Sequence, residues 1–175
     1  SLIEKIIPRE KRVIITGHSV GGCIATFALP KLTHIQILSI IVIDAIEGTS
    51  AQQTPQMHNL LESRPHVFNT EDEAIAFVAT SGELENWESA AISVSGRIKK
   101  RPDGKFTWRT ELLPSESAWS GWFKGFADAF ISSKPYKILV LPTIERLDTP
   151  FTIGHMSGKF QLSVINGTNH CVHED

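Results

Sequence analysis

One stretch limits the possible folds of this chain more than any other: Arg12-Val-Ile-Ile-Thr-Gly-His-Ser-Val-Gly-Gly-Cys-Ile-Ala-Thr-Phe-Ala28. A β-branched run suited to a strand buried on both faces gives way to a sharp turn, and the apolar residues Ile24, Ala25, Phe27 and Ala28 then recur at helical spacing. The turn, Gly17-His18-Ser19-Val20-Gly21, has the G-x-S-x-G pattern of a nucleophile elbow. Such a corner needs backbone room, and a side chain at 17 or 21 is expected to collide with neighbouring backbone. The Ser19 hydroxyl would project from the carboxyl end of the strand, over a helix N-terminus whose unpaired N–H groups favour negative charge. The five-residue pattern alone arises by chance in roughly 6% of chains this long. Its weight comes from the strand before it and the helix after it, with Gly22 adding close helix packing.

The rest of the composition narrows the class. At 175 residues with 41% hydrophobic and 21% charged residues, the chain suits one domain with a full core. A net charge of −2 offers no basic surface for nucleic acid, and Arg97-Ile-Lys-Lys-Arg101 reads as a solvated loop. No apolar run reaches membrane-spanning length, so no membrane partner is expected. Cys23 and Cys171 make no disulfide framework, which points to a reducing compartment, the cytoplasm and with it the nucleus. The histidines show neither H-x-x-x-H nor paired-Cys spacing, so no metal and no cofactor is expected.

In chain order, Glu4–Arg12 reads as a helix end broken by Pro8. Val13–Thr16 reads as a strand, Val20–Leu32 as a helix ended near Pro30, and Ile35–Asp44 as a second strand. Strand, helix, strand at this spacing is a right-handed parallel crossover, which brings Ser19 and Asp44 to one edge of a sheet. From Ala51 to Ser132 the pattern is amphipathic and helical, with Thr70 a cap for a helix over Glu71–Ser81 and another helix near Trp87–Val94; this reads as a helical cap inserted between sheet strands. Phe106–Leu112 alternates like a short extended segment. Trp119, Trp122, Phe123, Phe126 and Phe130 fall on one helical face, read as core or as the wall of a groove. Sheet strands return at Tyr136–Pro142 and Phe160–Ile165. No further strands precede the elbow and no closing helix follows Asp175, so the chain is expected to be a fragment of a larger α/β domain.

A serine hydroxyl needs a base, and the base needs an anion to orient it. His170, in the loop after the last strand, is the candidate base. His173 is its competitor, and His18 is expected to shape the pocket floor. The candidate acids are Asp44, ending the second strand, and Glu145 or Asp148, following the third; topology alone does not choose among them. Glu145, Arg146 and Asp148 also read as a surface turn with internal ion pairs of little energetic worth.

Several segments together resemble the protein phosphatase methylesterases: Gly17-His-Ser-Val-Gly-Gly22, Ile43-Asp-Ala-Ile-Glu-Gly-Thr49, Trp108-Arg-Thr-Glu-Leu112, Trp119-Ser-Gly-Trp-Phe-Lys-Gly125, Arg146-Leu-Asp148, Thr152-Ile-Gly154, Gly158-Lys-Phe-Gln161 and His170-Cys-Val-His-Glu-Asp175. The resemblance runs from about Val13 to the last residue. It implies an α/β-hydrolase fold, with a mostly parallel sheet, helices on both faces and the inserted cap at 51–132. It also implies a serine esterase that removes the methyl ester from the carboxyl-terminal leucine of the protein phosphatase 2A catalytic subunit, whose methylated tail would be the partner. By the same resemblance the triad is Ser19, Asp44 and His170, which selects Asp44 among the acids, and the Val20 N–H is an oxyanion donor. Position 20 is Val where the family pattern has Met; the reaction needs only its backbone. The family's glycine-rich loop, which supplies a second donor, would lie upstream of Ser1. The competing expectations are a general small-ester or lipid hydrolase of the same fold, and a non-catalytic module that binds the phosphatase.

Overall fold

The computed structural model describes residues 6–8 and 11–175, except for the side chains of residues 53–55. Of the expected helix end over Glu4–Arg12, residues 4, 5, 9 and 10 lie outside the described residues, and Arg12 already opens the first strand. Strand β1 (Arg12–His18) leads through the turn at Ser19 into helix α1 (Val20–Ala28), a 3-10 turn at Leu29–Lys31 and strand β2 (Gln36–Ile43). The α-helix stops before Pro30, which has no N–H to continue it. Next come α2 (Glu47–Ser63), β3 (Val67–Phe68), α3 (Glu71–Thr80), α4 (Trp87–Arg97), β4 (Ile98–Lys100) and β5 (Phe106–Trp108). A 3-10 turn at Leu113–Ser115 precedes α5 (Glu116–Trp122), α6 (Phe126–Ser132) and β6 (Tyr136–Leu141). A second at Ile144–Arg146 precedes α7 (Thr149–Met156) and β7 (Gln161–Val164).

The chain divides into two compact units. One is the chain up to Gln52 together with Ser120–Asn166; the other is Gln53–Trp119 with Gly167–Asp175.

The first unit is built on a four-stranded parallel sheet in the order β1-β2-β6-β7. Its core joins Ile40, Val42, Leu139 and Leu141 of the two central strands to Cys23 of α1, Phe126 and Phe130 of α6, Phe151 of α7 and Phe160. The rings meet at tilted or edge geometry, with Phe126–Phe151 centroids 5.5 Å and Phe130–Phe160 5.5 Å apart. Burying each such ring is worth about 2–3 kcal/mol. Phe126 and Phe130 therefore belong to the core and not to a groove wall. The aromatic run 115–132 is not one helix: Gly125, at φ 79°, breaks it, leaving Trp119 and Trp122 on α5. β1 also departs from expectation. It is an end strand of the described sheet, and Ile14 stands 58% exposed, so its β-branched run is not buried on both faces.

The second unit packs α3 and α4 through Ala74, Val78, Leu84, Ala90 and Val94, together with Phe68, Ile98 and Cys171. Thr70 caps α3 as expected: its Oγ1 accepts the Glu73 N–H at 3.1 Å, and the Glu73 carboxylate accepts the Asn69 N–H at 2.6 Å. Two expectations are corrected here. The insertion is not purely helical, because β3, β5 and β4 form a small antiparallel sheet; and its last helix, α6, packs into the first unit, so this unit's inner stretch ends at Trp119, not Ser132. Strands of two or three residues are too short to show alternation. The run Arg97–Arg101 is likewise no solvated loop. Residues 98–100 form β4, and the half-buried Arg97 is bonded to Glu83 and Glu174. Among the described residues, no helix is long and apolar enough to cross a membrane.

Candidate active site

Ser19 occupies the corner between β1 and α1 with φ 52° and ψ −128°. A non-glycine residue there carries about 1–3 kcal/mol of backbone strain, which persists only where the surroundings over-determine it. They do so through hydrogen bonds on both sides of the residue. Its N–H donates to the Ile43 carbonyl at 2.8 Å, and its own carbonyl accepts the Gly22 N–H at 2.9 Å. Gly17 gives the room: a Cβ on it would lie 2.4 Å from the Gly21 carbonyl oxygen and 2.6 Å from the Gly22 nitrogen. The expected crowding at Gly21 is absent, since a Cβ there meets nothing within 4 Å. The second close approach falls on Gly22, where a Cβ would be 2.7 Å from Val42 Cγ1. Val20 is the first residue of α1, and its N–H has no acceptor within the helix.

Asp44 follows β2 immediately, on the strand beside β1, where His18 pairs with Ile43. Ser19 and Asp44 are thus brought to the same edge of the sheet, as the crossover implied. Asp44 has φ 47°, its N–H donates to the Val140 carbonyl at 2.8 Å, and its carboxylate is almost wholly buried, 1% exposed. Arg146 Nη1 lies 3.0 Å from its Oδ2.

The residues after Asp44 build the corner that carries it. The Glu47 carboxylate accepts the N–H groups of Gly125 at 2.7 Å and Ala127 at 2.9 Å, at the start of α6. The Gly48 N–H donates to Asp148 Oδ2 at 2.8 Å, and a Cβ on Gly48 would sit 2.9 Å from that same oxygen. Thr49 Oγ1 donates to the Arg146 carbonyl at 2.8 Å. Asp148 uses its other oxygen to cap α7, accepting the Phe151 N–H at 3.1 Å. Asp148 is thus occupied in holding structure, and Glu145 is exposed on the 3-10 turn. Replacing Asp148 with alanine removes a helix cap and leaves the Gly48 N–H without its acceptor. The expected cost is about 2–3 kcal/mol, read as a lower urea midpoint, with Asp148→Asn costing less.

His170 stands on the second unit, in the turn-rich tail that closes the chain. That tail is firmly tied down. Cys171 and Val172 are buried, Glu174 accepts from Arg97 Nη2 at 2.9 Å, and Asp175 accepts the N–H groups of Glu85 at 2.8 Å, Asn86 at 3.2 Å and Asn169 at 2.9 Å. Burial works against the charge on Asp175, but the three backbone donors outweigh it and hold its carboxyl below the ordinary value. His173 pairs with Glu174 at 3.5 Å. Neither cysteine competes with Ser19 as a nucleophile. Burial, with Glu47 beside it, pushes the Cys23 thiol up to about 12, and burial with Glu83 beside it pushes Cys171 up to about 11. Among the described residues no group of acidic, His and Cys side chains could hold a metal ion.

Arg146 was missed as a partner of the candidate acid; an internal pair with its neighbours was expected, and its partner is Asp44 instead. The missed α7 had a legible signal, Asp148-Thr-Pro, a cap followed by a proline in the first turn.

Known proteins bear on this geometry. The chain is 34% identical over 175 residues to protein phosphatase methylesterase 1 of Schizosaccharomyces pombe, covering all of this chain and 51% of that protein. It is 38% identical over 167 residues to the probable protein phosphatase methylesterase 1 of Caenorhabditis elegans, covering 95% of this chain and 46% of that one. The chain thus spans about half the length of the curated relatives it matches. In fold it is similar to the crystal structure of E-2-(acetamidomethylene)succinate hydrolase, with a TM-score of 0.79 at 16% identity over 99% of this chain and 64% of that one. The model of the alpha/beta hydrolase family matches residues 1–175, and together with the parallel sheet and the elbow turn this establishes that the chain belongs to that family.

Proposed function

We propose that this chain carries the chemistry of a serine carboxylesterase that demethylates the carboxyl-terminal leucine methyl ester of the protein phosphatase 2A catalytic subunit. The observation that carries the reading is the strained Ser19 at the strand-to-helix corner, with Asp44 ending the neighbouring strand. The methylesterase names of its relatives support the substrate class.

In this reading Ser19 Oγ attacks the ester carbonyl while His170 takes its proton, and Asp44 accepts the other imidazole N–H and stabilises the imidazolium. The tetrahedral oxyanion is met by the Val20 N–H at the positive end of α1; one such donor is typically worth ~10²–10³ in rate. The imidazolium gives its proton to the departing methoxide and methanol leaves. His170 then draws a proton from water, the hydroxide cleaves the acyl-serine, and the leucine carboxylate and free Ser19 result.

The purified protein is to be treated with a fluorophosphonate probe and assayed for methanol release from a peptide ending in leucine methyl ester. Labelling at Ser19 and a strong preference for the methylated peptide over p-nitrophenyl acetate are expected. Labelling with no such preference would instead favour a general small-ester hydrolase. Binding of the phosphatase with no labelling would favour a non-catalytic module.

A further inference from the structure

We propose that Arg146 is a positioning residue for the reaction: it pins one oxygen of the Asp44 carboxylate and so sets the plane in which that carboxylate meets the imidazole. The inference rests on reading Asp44 as the orienting acid of the triad. Its basis is local and lies within the first unit. Asp44 Oδ2 is 3.0 Å from Arg146 Nη1, the carboxylate is 1% exposed, and the guanidinium side chain is 25% exposed. A carboxylate so buried needs a counter-charge to stay ionised, and a guanidinium supplies charge and direction together. The arginine is itself positioned. Its carbonyl accepts the Thr49 hydroxyl at 2.8 Å, and Thr49 lies on the same corner as Asp44, beyond Gly48, whose N–H is held by Asp148. One short turn after β6 therefore grips the corner after β2 at three points.

The charged and titratable groups on the elements around Asp44 are His18 at the end of β1, Glu47 at the start of α2, Lys124 and Asp128 around the start of α6, and Glu145, Arg146 and Asp148 in the turn after β6. The carboxylates of Glu47 and Asp148 are held by backbone N–H groups, and Arg146 is paired directly with Asp44. Beside His170 on the second unit stand His173, Glu174 and Asp175, with Glu83, Glu85 and Arg97 on the elements this tail bonds. Removing the Arg146 charge takes the counter-charge away from a buried carboxylate, so the ionised form that the scheme requires is held less firmly. The readout is the acid limb of the pH profile, expected to move upward.

The test measures kcat and KM against pH for the methyl-ester peptide in wild type, Arg146→Gln, Arg146→Lys, Thr49→Val and Asp44→Asn. Arg146→Gln is expected to lose ~10–100-fold in kcat at neutral pH with KM nearly unchanged, and to shift the acid limb up by about one pH unit. Arg146→Lys keeps the charge and should restore most of the limb position, with a remaining several-fold loss in kcat. Thr49→Val loosens the arginine's seat and should move rate and limb part of the way. A wild-type limb in Arg146→Gln, with Asp44→Asn inactive, overturns the positioning role and leaves the triad standing. An active Asp44→Asn overturns the triad itself. If Arg146→Gln does not fold, Thr49→Val decides, and a wild-type limb there overturns the proposal.

Discussion

Alanine at position 19 is expected to abolish fluorophosphonate labelling and to cut ester turnover by ~10⁴-fold or more, because the proposed scheme has no other nucleophile for its acyl-enzyme step. The fold should survive the change. Alanine keeps a Cβ at φ 52°, so the backbone strain stays and stability moves little. Glycine at the same position separates the two properties. It also removes the hydroxyl, but it adopts positive φ freely, so Ser19→Gly should be inactive and more stable than wild type by about 1–2 kcal/mol. A thermal melt beside the turnover assay reads both. Turnover retained in Ser19→Ala would remove the serine scheme altogether, and a glycine variant no more stable than the alanine one would mean that the corner is not strained. A residue that costs stability and is kept at such a corner is what a site retained for chemistry would show.

The second large effect is structural. Gly17→Ala would force a methyl group to 2.4 Å from the Gly21 oxygen, 2.5 Å from its carbonyl carbon and 2.6 Å from the Gly22 nitrogen. All three are backbone atoms at the start of α1 and cannot swing aside as a side chain tip could. The strand-to-helix corner must open, and with it the seating of α1 on β2 through Cys23 and Val42. A loss of more than about 3 kcal/mol is expected, enough to leave much of the protein unfolded or aggregated. Gly21→Ala is the internal control. Nothing lies within 4 Å of its added methyl, and the position is inside α1, so urea unfolding should find it neutral or stabilised by up to about 1 kcal/mol. Equal behaviour of the two alanine variants would contradict the packing described at the elbow.

The contrast between these two glycines shows how far the sequence could be read. The G-x-S-x-G spacing located the corner, and the pattern of β1, α1 and β2 placed Asp44 at the same sheet edge, because both follow from period and chain direction over some thirty residues. Which glycine is crowded depends on the packing of α1 against its own strand and on Val42 of the next, and no spacing rule holds that information. The same limit applies to Arg146. Its partner is far away in sequence, and an arginine flanked by Glu145 and Asp148 looks self-sufficient until the chain is folded. The antiparallel sheet of β3, β4 and β5 is not legible in the sequence, because strands of two or three residues show no period. The spacing of the aromatic run after Ser115 suits one helix, but the residue that divides it, Gly125, acts through its positive φ and not through hydropathy. By chain order the tail at His170 follows the last sheet strand, yet Cys171, Glu174 and Asp175 anchor it in the second unit through partners on α4 and the segment before it.

The clasp at the corner after β2 has a consequence for how the molecule is made. The acceptors that hold Gly48 and Thr49 lie 100 and 97 residues further along the chain. A ribosome releasing this polypeptide from its N-terminus would expose the serine corner early, with all the parts it needs close at hand. The aspartate's seat would stay unfinished until the turn after β6 had emerged. The order of synthesis thus completes the serine corner well before the buried ion pair of the aspartate.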